Sequence, residues 1–216
     1  MNLPLQLPAR QIAPVSNTKP DRAEVESALR TIIRWTGDDP TRAGLLETPA
    51  RVARALEEFF AGYTQNPAAM LQKTFEEIEG YDEMVVLRGI RFESHCEHHL
   101  APIIGRAHIG YLPRNRVVGI SKLARVVEVY AKRLQIQERI TAEIANTLDR
   151  VLRPQGVAVV VEATHGCMTS RGVRQTEATL VTSRMLGVFR ERPETRQEFL
   201  SAIKLRSATP CEQDPA

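Results

Sequence analysis

The chain has 216 residues, of which 43% are hydrophobic and 25% are charged, and its formal net charge is +3. This composition is typical of a globular protein with one sizeable core in one or two domains. The mild, scattered positive charge argues against nucleic-acid binding, and no apolar run approaches the roughly 20 residues that cross a membrane. The first residues lack a continuous apolar stretch behind a basic start, so we expect no signal peptide and a cytoplasmic location.

The first elements in chain order are helical. Residues 1–20 contain four prolines and few large apolar side chains, which predicts a flexible arm. Apolar residues at helical spacing predict a helix that begins at Asp21 and ends at the segment GDDP. A second helix is expected to start at Thr48, with an apolar stripe that runs to Tyr63. Residues 21–80 are therefore predicted to form an N-terminal helical section.

The pattern changes to alternating, strand-like runs after residue 80. Two such runs, MVVLRGIRFES and PIIGRAHIGYL, precede two helical segments, and the runs VAVVVEATHGCM and TLVTSRMLGVF follow them. The second helical segment has an apolar residue at every fourth position: Ile136, Ile140, Ile144 and Leu148. The order ββααββ predicts an α+β domain over residues 81–206, in which one antiparallel four-stranded sheet is backed by two helices. A last helix is expected at 194–205 and a flexible tail at 207–216.

A dense cluster of metal-binding residue types occurs in FESHCEHHLAP, which holds three of the five histidines and one of the three cysteines. Cys96 and His99 can reach one metal ion only if the chain turns between them, because strand positions three apart point to opposite faces. Three cysteines cannot all pair, and a reducing compartment favours a metal or catalytic role. Cys167, at a predicted strand end, is a better third ligand than Cys211. His165 would share its face if that strand stays regular.

Together, Cys96, His99 and Cys167 would give a Cys₂His site with an open fourth position. Such a site is typical of catalytic zinc, which activates water near neutral pH. His98 and His165 would then lie beside the metal without binding it, as candidates for proton transfer. The alternative is that all five are ordinary core or surface residues, but their density and the second Cys/His pair favour a metal site.

Other polar residues allow two interpretations. His95 and His108 are interpreted as structural residues. Glu97 is equally compatible with contact to a metal ligand and with a solvated or salt-bridged side chain. Gln137 and Glu138 begin a predicted helix; a carboxylate there can accept hydrogen bonds from a guanine or pterin edge, although most such glutamates are solvated.

A phosphate site is possible where the segment GISKLAR starts a helix. Ser121 is expected to cap this helix, with Lys122 in its first turn and Arg125 on the same side. The residues alone favour a capped surface helix with solvated basic side chains. Arg171 follows the proposed ligand Cys167 and is expected near the metal. Glycine-rich phosphate loops and the zinc-protease motif H-E-x-x-H are absent.

Four segments resemble the GTP cyclohydrolase I family: CEHHLAPIIGRAHIGYLP, VVGISKLARVVEVYAKRLQIQERIT, VVVEATHGCMTSRGV and TSRMLGVF. The resemblance is collinear over about residues 21–205. It implies hydrolysis at C8 of GTP, release of formate and rearrangement to 7,8-dihydroneopterin triphosphate, the first step of pterin and folate biosynthesis. A histidine, expected to be His165, protonates N7.

The resemblance also assigns roles to residues of this chain. It places the Zn²⁺ ligands at Cys96, His99 and Cys167, and the acid/base groups at His98 and His165 with Ser121 near the ribose. The matching triphosphate-binding positions are Arg51, Lys122, Arg125 and Arg171, and the guanine-recognition positions are Gln137 and Glu138.

The family architecture implied by the resemblance is the tunnelling fold, in which sheets from several subunits join into a barrel. It implies a homodecamer of two pentameric rings, with active sites between subunits, and this would cover the exposed sheet edges. The chain departs from the family pattern at Gly166, which is expected to loosen the strand end, and at 173–180. Two other functions are compatible with the residues: a related enzyme acting on a pterin or deazapurine, and a zinc-stabilised binding protein without turnover.

Overall fold

The computed structural model describes residues 19–72, 74–75, 81–114 and 117–204. The tail predicted at 207–216, and all but the last two residues of the arm predicted at 1–20, lie outside these ranges. The chain divides into two compact units, the first ending at Leu56 and the second beginning at Glu57. The boundary predicted at residue 80, between the helical section and the sheet domain, stays a prediction.

The first two helices lie within the predicted N-terminal helical section. Helix α1 (Arg22–Trp35) begins directly after Asp21, where the sequence predicted its start. The carboxylate of Asp21 caps the helix by accepting a hydrogen bond from the backbone N–H of Glu24 at 2.9 Å. Helix α2 (Thr48–Phe59) starts where it was expected. It ends before Tyr63, because Ala61–Thr64 form a 3₁₀ turn, so the predicted stripe was one turn too long.

The second unit contains the sheet and the remaining helices. Its strands are β1 (Thr74–Phe75), β2 (Val85–Cys96), β3 (Pro102–Leu112), β4 (Val117–Val118), β5 (Leu134–Gln135), β6 (Gly156–His165) and β7 (Leu180–Gly187). Its helices are α3 (Pro67–Met70), α4 (Ile120–Ala131), α5 (Gln137–Leu152), α6 (Gly166–Thr169), α7 (Val188–Glu191) and α8 (Pro193–Lys204). Among the described residues, none of the helices combines the length and apolar character that a membrane span requires.

The main sheet has the strand order β5-β2-β3-β6-β7. Strands β2, β3, β6 and β7 are antiparallel neighbours, which confirms the predicted four-stranded sheet and the order ββααββ. Strand β5 adds a fifth, parallel partner to the end of β2, where His95 lies opposite Leu134. A two-residue strand has no periodicity, so the sequence pattern gave no sign of β5.

The larger core lies between the sheet and the pair α4 and α5. Ile140, Ile144 and Leu148 of α5 are fully buried, as their four-residue spacing predicts, whereas Ile136 precedes the helix as its N-cap residue. The face of β3 that belongs to this core buries residues at alternate positions, namely Ile103, Ala107, Ile109 and Tyr111. The predicted backing of the sheet by two helices is therefore observed.

A second, smaller core covers part of the opposite face of the sheet. Ala158 and Val160 of β6 pack there with Phe189 of α7 and Phe199 of α8. Gly110 of β3 makes room for the phenyl ring, because a Cβ at this position would lie 2.6 Å from Cδ2 of Phe199. Burial on both faces explains why β6 is a continuous apolar run rather than an alternating one.

We expect Ile144→Ala to lower the free energy of unfolding by about 2–5 kcal/mol, because it opens a cavity in a fully buried part of α5. The matched control is Ile32→Ala on α1, where the side chain is 54% exposed and the expected change is within about 0.5 kcal/mol. Urea unfolding at equal protein concentration measures both. Equal losses in the two variants would contradict the burial assignment.

Candidate metal centre

The turn between β2 and β3 folds His99 back towards Cys96, the last residue of β2. The backbone N–H of Cys96 donates to the carbonyl of Ala101 at 2.8 Å, and the N–H of Leu100 donates to the carbonyl of Cys96 at 2.9 Å. Leu100 has φ +55°, a left-handed conformation that is costly for a branched side chain and is retained where a tight turn requires it. The turn expected between Cys96 and His99 is therefore present.

Cys167 reaches the same end of the sheet from β6. Ile103 lies opposite His165, so the end of β6 is beside the start of β3. The expectation that His165 and Cys167 share one strand face was wrong, because β6 ends at His165 and Cys167 lies in the short helix α6. Between them, a Cβ on Gly166 would lie 3.0 Å from Cδ of Pro102, so the glycine permits a close approach rather than marking a loose strand end.

The ligand atoms of Cys96, His99 and Cys167 all lie within 4.8 Å of one another. Two sulfurs and one imidazole nitrogen are a donor set that zinc favours. Burial, followed by the neighbouring Cys96, raises the pKa of the Cys167 thiol. A divalent cation would reverse this effect, because a coordinating thiol is deprotonated. The donor chemistry and the spacing therefore fit a bound zinc ion.

His98 lies in the same turn but outside this three-residue group. Its Nδ1 is 3.7 Å from Sγ of Cys96, and its Nε2 is 3.9 Å from Oε1 of Glu97. Glu97 forms an ion pair with Arg139 of α5 at 2.7 Å, and this hydrogen bond lowers the pKa of Glu97. Of the two interpretations of Glu97, the structure supports the salt-bridged side chain.

His165 contacts a residue that the sequence assigned to the substrate. Its Nε2 is 2.9 Å from Oε1 of Gln137, and burial lowers the pKa of His165 while Glu138 opposes that shift. The side chain of Gln137 is fully buried, and its Nε2 donates to the carbonyls of Val161 and Leu180. The assignment of Gln137 to guanine recognition remains a prediction. Glu138, the next residue, is exposed.

Arg171 lies beside the three-residue group, as expected. Its Nη1 is 2.9 Å from Nε2 of His99. Because a guanidinium group only donates, this nitrogen of His99 is the acceptor in the contact.

The start of α4 differs in part from the prediction. Helix α4 begins after Gly119, so Ser121 does not cap it and is an exposed residue of the first turn. Lys122 lies in the same turn, where its backbone N–H donates to the carbonyl of Gly119 at 2.8 Å. The first turn thus presents a hydroxyl and a cation without a side-chain cap.

Within the described residues of the second unit, no observed contact joins Arg125 to the three-residue group. Arg125 lines a cavity of about 370 Å³ between β2 and α4, and none of the proposed metal ligands lines that cavity. Arg51 belongs to the first unit, where it forms an ion pair with Glu47 on an exposed surface. Their assignment to the triphosphate remains a prediction.

The two histidines interpreted as structural residues have packing partners. The ring of His95 lies 4.6 Å from that of Phe59 and 5.4 Å from that of Phe60, measured between centroids. His108 is largely buried, and its Nε2 is 3.5 Å from Oε1 of Glu162. These contacts are consistent with the structural interpretation of both residues.

Comparison with known proteins identifies the family. A family model described as GTP cyclohydrolase I matches residues 25–204. The chain is 53% identical to a GTP cyclohydrolase 1 of Maricaulis maris (strain MCS10) over 196 residues, which cover 91% of this chain and 96% of that protein. The chain belongs to the GTP cyclohydrolase I family. A GTP cyclohydrolase 1 of Brucella canis is 52% identical over 86% of this chain and 87% of its own length.

Family membership confirms the predicted α+β tunnelling fold, with helices preceding the sheet. Among solved structures, an archaeosine synthase QueF-Like in the apo form is similar, with a TM-score of 0.41 and 19% sequence identity over 48% of this chain and 93% of that chain. The group of Cys96, His99 and Cys167 is consistent with the zinc site of the GTP cyclohydrolase I family.

We expect Cys96→Ser to lower zinc affinity at least about 100-fold, because the hydroxyl of serine is a poor replacement for a thiolate ligand. His98→Ala is the matched control: it removes a ring from the same turn and should retain about one zinc per chain. Zinc content after dialysis against a weak chelator, measured by mass spectrometry, tests both. Equal zinc loss in the two variants would assign His98 as a ligand.

Proposed function

We propose that this chain catalyses the hydrolysis of GTP at C8, releasing formate and giving 7,8-dihydroneopterin triphosphate. Membership of the GTP cyclohydrolase I family supports this activity. The observation that carries it to this chain is the convergence of Cys96, His99 and Cys167 at one end of the sheet, with His98 in the same turn and His165 two residues before Cys167.

The three-residue group is proposed to hold Zn²⁺ through two sulfurs and one imidazole nitrogen. When bound, the ion supplies a Lewis acid that activates water near neutral pH. Burial of Cys96 restricts access to that sulfur, whereas His99 is exposed.

We propose that His98 and His165 transfer protons. His98 lies 3.7 Å from Sγ of Cys96, and His165 precedes Cys167 by two residues. His98 is 63% exposed, so its ring can meet a ligand that enters from solvent. His165 is held by one ring nitrogen, which leaves the other to take up a proton and then, from the imidazolium form, to donate it to N7 when the imidazole ring of GTP opens. Ser121 is proposed to bind near the ribose.

Substrate recognition is proposed to use Glu138 and a set of basic side chains. Glu138 follows Gln137 in the first turn of α5, and its side chain is exposed. Its carboxylate can therefore accept two hydrogen bonds from the guanine edge. The proposed triphosphate ligands are Arg51, Lys122, Arg125 and Arg171, of which Arg171 is already beside His99.

We propose that the protein forms a homo-oligomer. Its expected form is a decamer of two rings, with active sites between subunits. Strand β7 is one edge of the described sheet, and β5 covers the outer edge of β2 only near Cys96. Leu180 and Val181 on β7 are 39% and 59% exposed. Unpaired edges with apolar side chains favour pairing with another chain. The proposed location is the cytoplasm, where thiols stay reduced.

The zinc-loaded protein should release one formate per GTP consumed, together with a product that gives pterin fluorescence after oxidation. We expect His165→Ala to keep zinc but to lower the rate of formate release by about 10²- to 10⁴-fold, the usual contribution of a general acid or base. His108→Ala is the matched histidine control and should keep most of the rate, because His108 pairs with Glu162 away from the ligands.

Absence of formate at confirmed zinc occupancy would overturn the proposed activity and would favour a zinc-stabilised binding protein. Turnover of a pterin or deazapurine without turnover of GTP would favour the related enzyme of the same fold.

We expect light scattering after size exclusion to give a mass about ten times that of the single chain. Val181→Lys should lower that mass, because it places a charge on an exposed apolar position of the β7 edge. A single-chain mass for the unmodified protein at every concentration tested would contradict the oligomer.

A further inference from the structure

The orientation of the Gln137 side-chain amide is set by its surroundings. Its Nε2 lies 3.0 Å from the carbonyl oxygen of Val161, 2.9 Å from that of Leu180 and 3.1 Å from Oγ1 of Thr182. Backbone carbonyls only accept hydrogen bonds, so the amide nitrogen must face them, and the reverse orientation would set an oxygen against two oxygens. The amide oxygen of Gln137 is therefore the atom that faces His165.

This orientation determines which nitrogen of His165 carries hydrogen. The amide oxygen of Gln137 cannot donate, so the 2.9 Å contact requires a hydrogen on Nε2 of His165. In the neutral ring, Nδ1 is then the nitrogen with the free lone pair. Within the described part of the chain, the hydrogen bond observed for the ring of His165 is the one made by Nε2.

We infer that Gln137 is a positioning residue: its amide oxygen fixes the ring of His165 in the Nε2–H tautomer and leaves Nδ1 as the nitrogen open to substrate. This role rests on the proposed function of His165 and replaces the guanine contact predicted for the Gln137 side chain. The amide is held by β6 and β7 together, so the tautomer of His165 depends on the packing of α5 against both strands.

A positioning role for Gln137 differs from a direct contact with the substrate in its effect on kcat and KM. The side chain of Gln137 is fully buried, so it acts through His165 and adds no contact of its own to GTP. Removal of the amide oxygen should therefore lower kcat and leave KM nearly unchanged. A direct guanine contact would instead raise KM.

The test compares Gln137→Met, which keeps the length of the side chain but has no amide oxygen, with the unmodified protein in the zinc-loaded form. We expect kcat for GTP to fall about 10- to 100-fold with less than about a threefold change in KM. Solid-state ¹⁵N NMR of histidine-labelled protein, with His165→Ala used to assign the signal, should show the Nε2–H tautomer in the unmodified protein and a mixture in Gln137→Met.

Two further variants separate positioning from stability. Thr182→Val removes one acceptor from the amide nitrogen but leaves the contact with His165, so it should lower the urea midpoint while kcat and the tautomer stay unchanged. Gln137→Glu keeps an oxygen towards His165 and should retain the Nε2–H tautomer, with kcat above that of Gln137→Met even if the fold is weakened.

An Nδ1–H tautomer in the unmodified protein would overturn this role whether or not the Met variant folds. So would an unchanged kcat in Gln137→Met, or a tenfold rise in KM at constant kcat. The NMR measurement needs no turnover. A protein that shows the Nε2–H tautomer but releases no formate would contradict the proposed function and leave the Gln137 contact standing.

Discussion

Backbone hydrogen bonds hold β3 against β6 in a register that runs from Ile103 opposite His165 to Leu112 opposite Gly156. A slip of one residue would turn Val159 and Val161 out of the larger core, because side chains alternate between the two faces of a strand. The same slip would move the end of β6, and the Cys167 that follows it, away from the turn that carries Cys96 and His99. The pairing of β3 with β6 therefore sets both the apolar burial along β6 and the geometry of the metal group. Burial of the valines in turn stabilises this register.

Charge balance explains why a cation such as Arg171 can lie next to a metal-binding group. Two coordinating cysteines bind as thiolates, and together with one divalent ion and a neutral imidazole they carry no net charge. The guanidinium of Arg171, which belongs to the surroundings of His99, then faces a neutral centre rather than an excess of positive charge. Its charge remains available to an anionic substrate, which is consistent with a triphosphate bound at the edge of the metal site.

Elements with strong periodicity could be predicted from the sequence, and so could part of the site. The four-residue spacing of Ile140, Ile144 and Leu148 defines the buried face of α5, and the separation of Cys96 from His99 requires a turn because a strand would point them apart. The short helix that carries Cys167 could not be foreseen, since it follows a strand without a punctuating proline or capping residue. The partners of Gln137 lie 24 and 43 positions along the chain, so only the folded sheet brings them together.

The order of Gln137 and Glu138 follows from the helix that begins there. Consecutive helical residues point about 100° apart, so when the first side chain is turned into the sheet the second is turned towards solvent. A carboxylate at position 137 would face the carbonyl oxygens of Val161 and Leu180, whereas an amide nitrogen there satisfies both. At position 138 the carboxylate is exposed and can meet a ligand. The neutral residue therefore has to come first, because reversing the pair would bury a charge and set a carboxylate oxygen against two carbonyl oxygens.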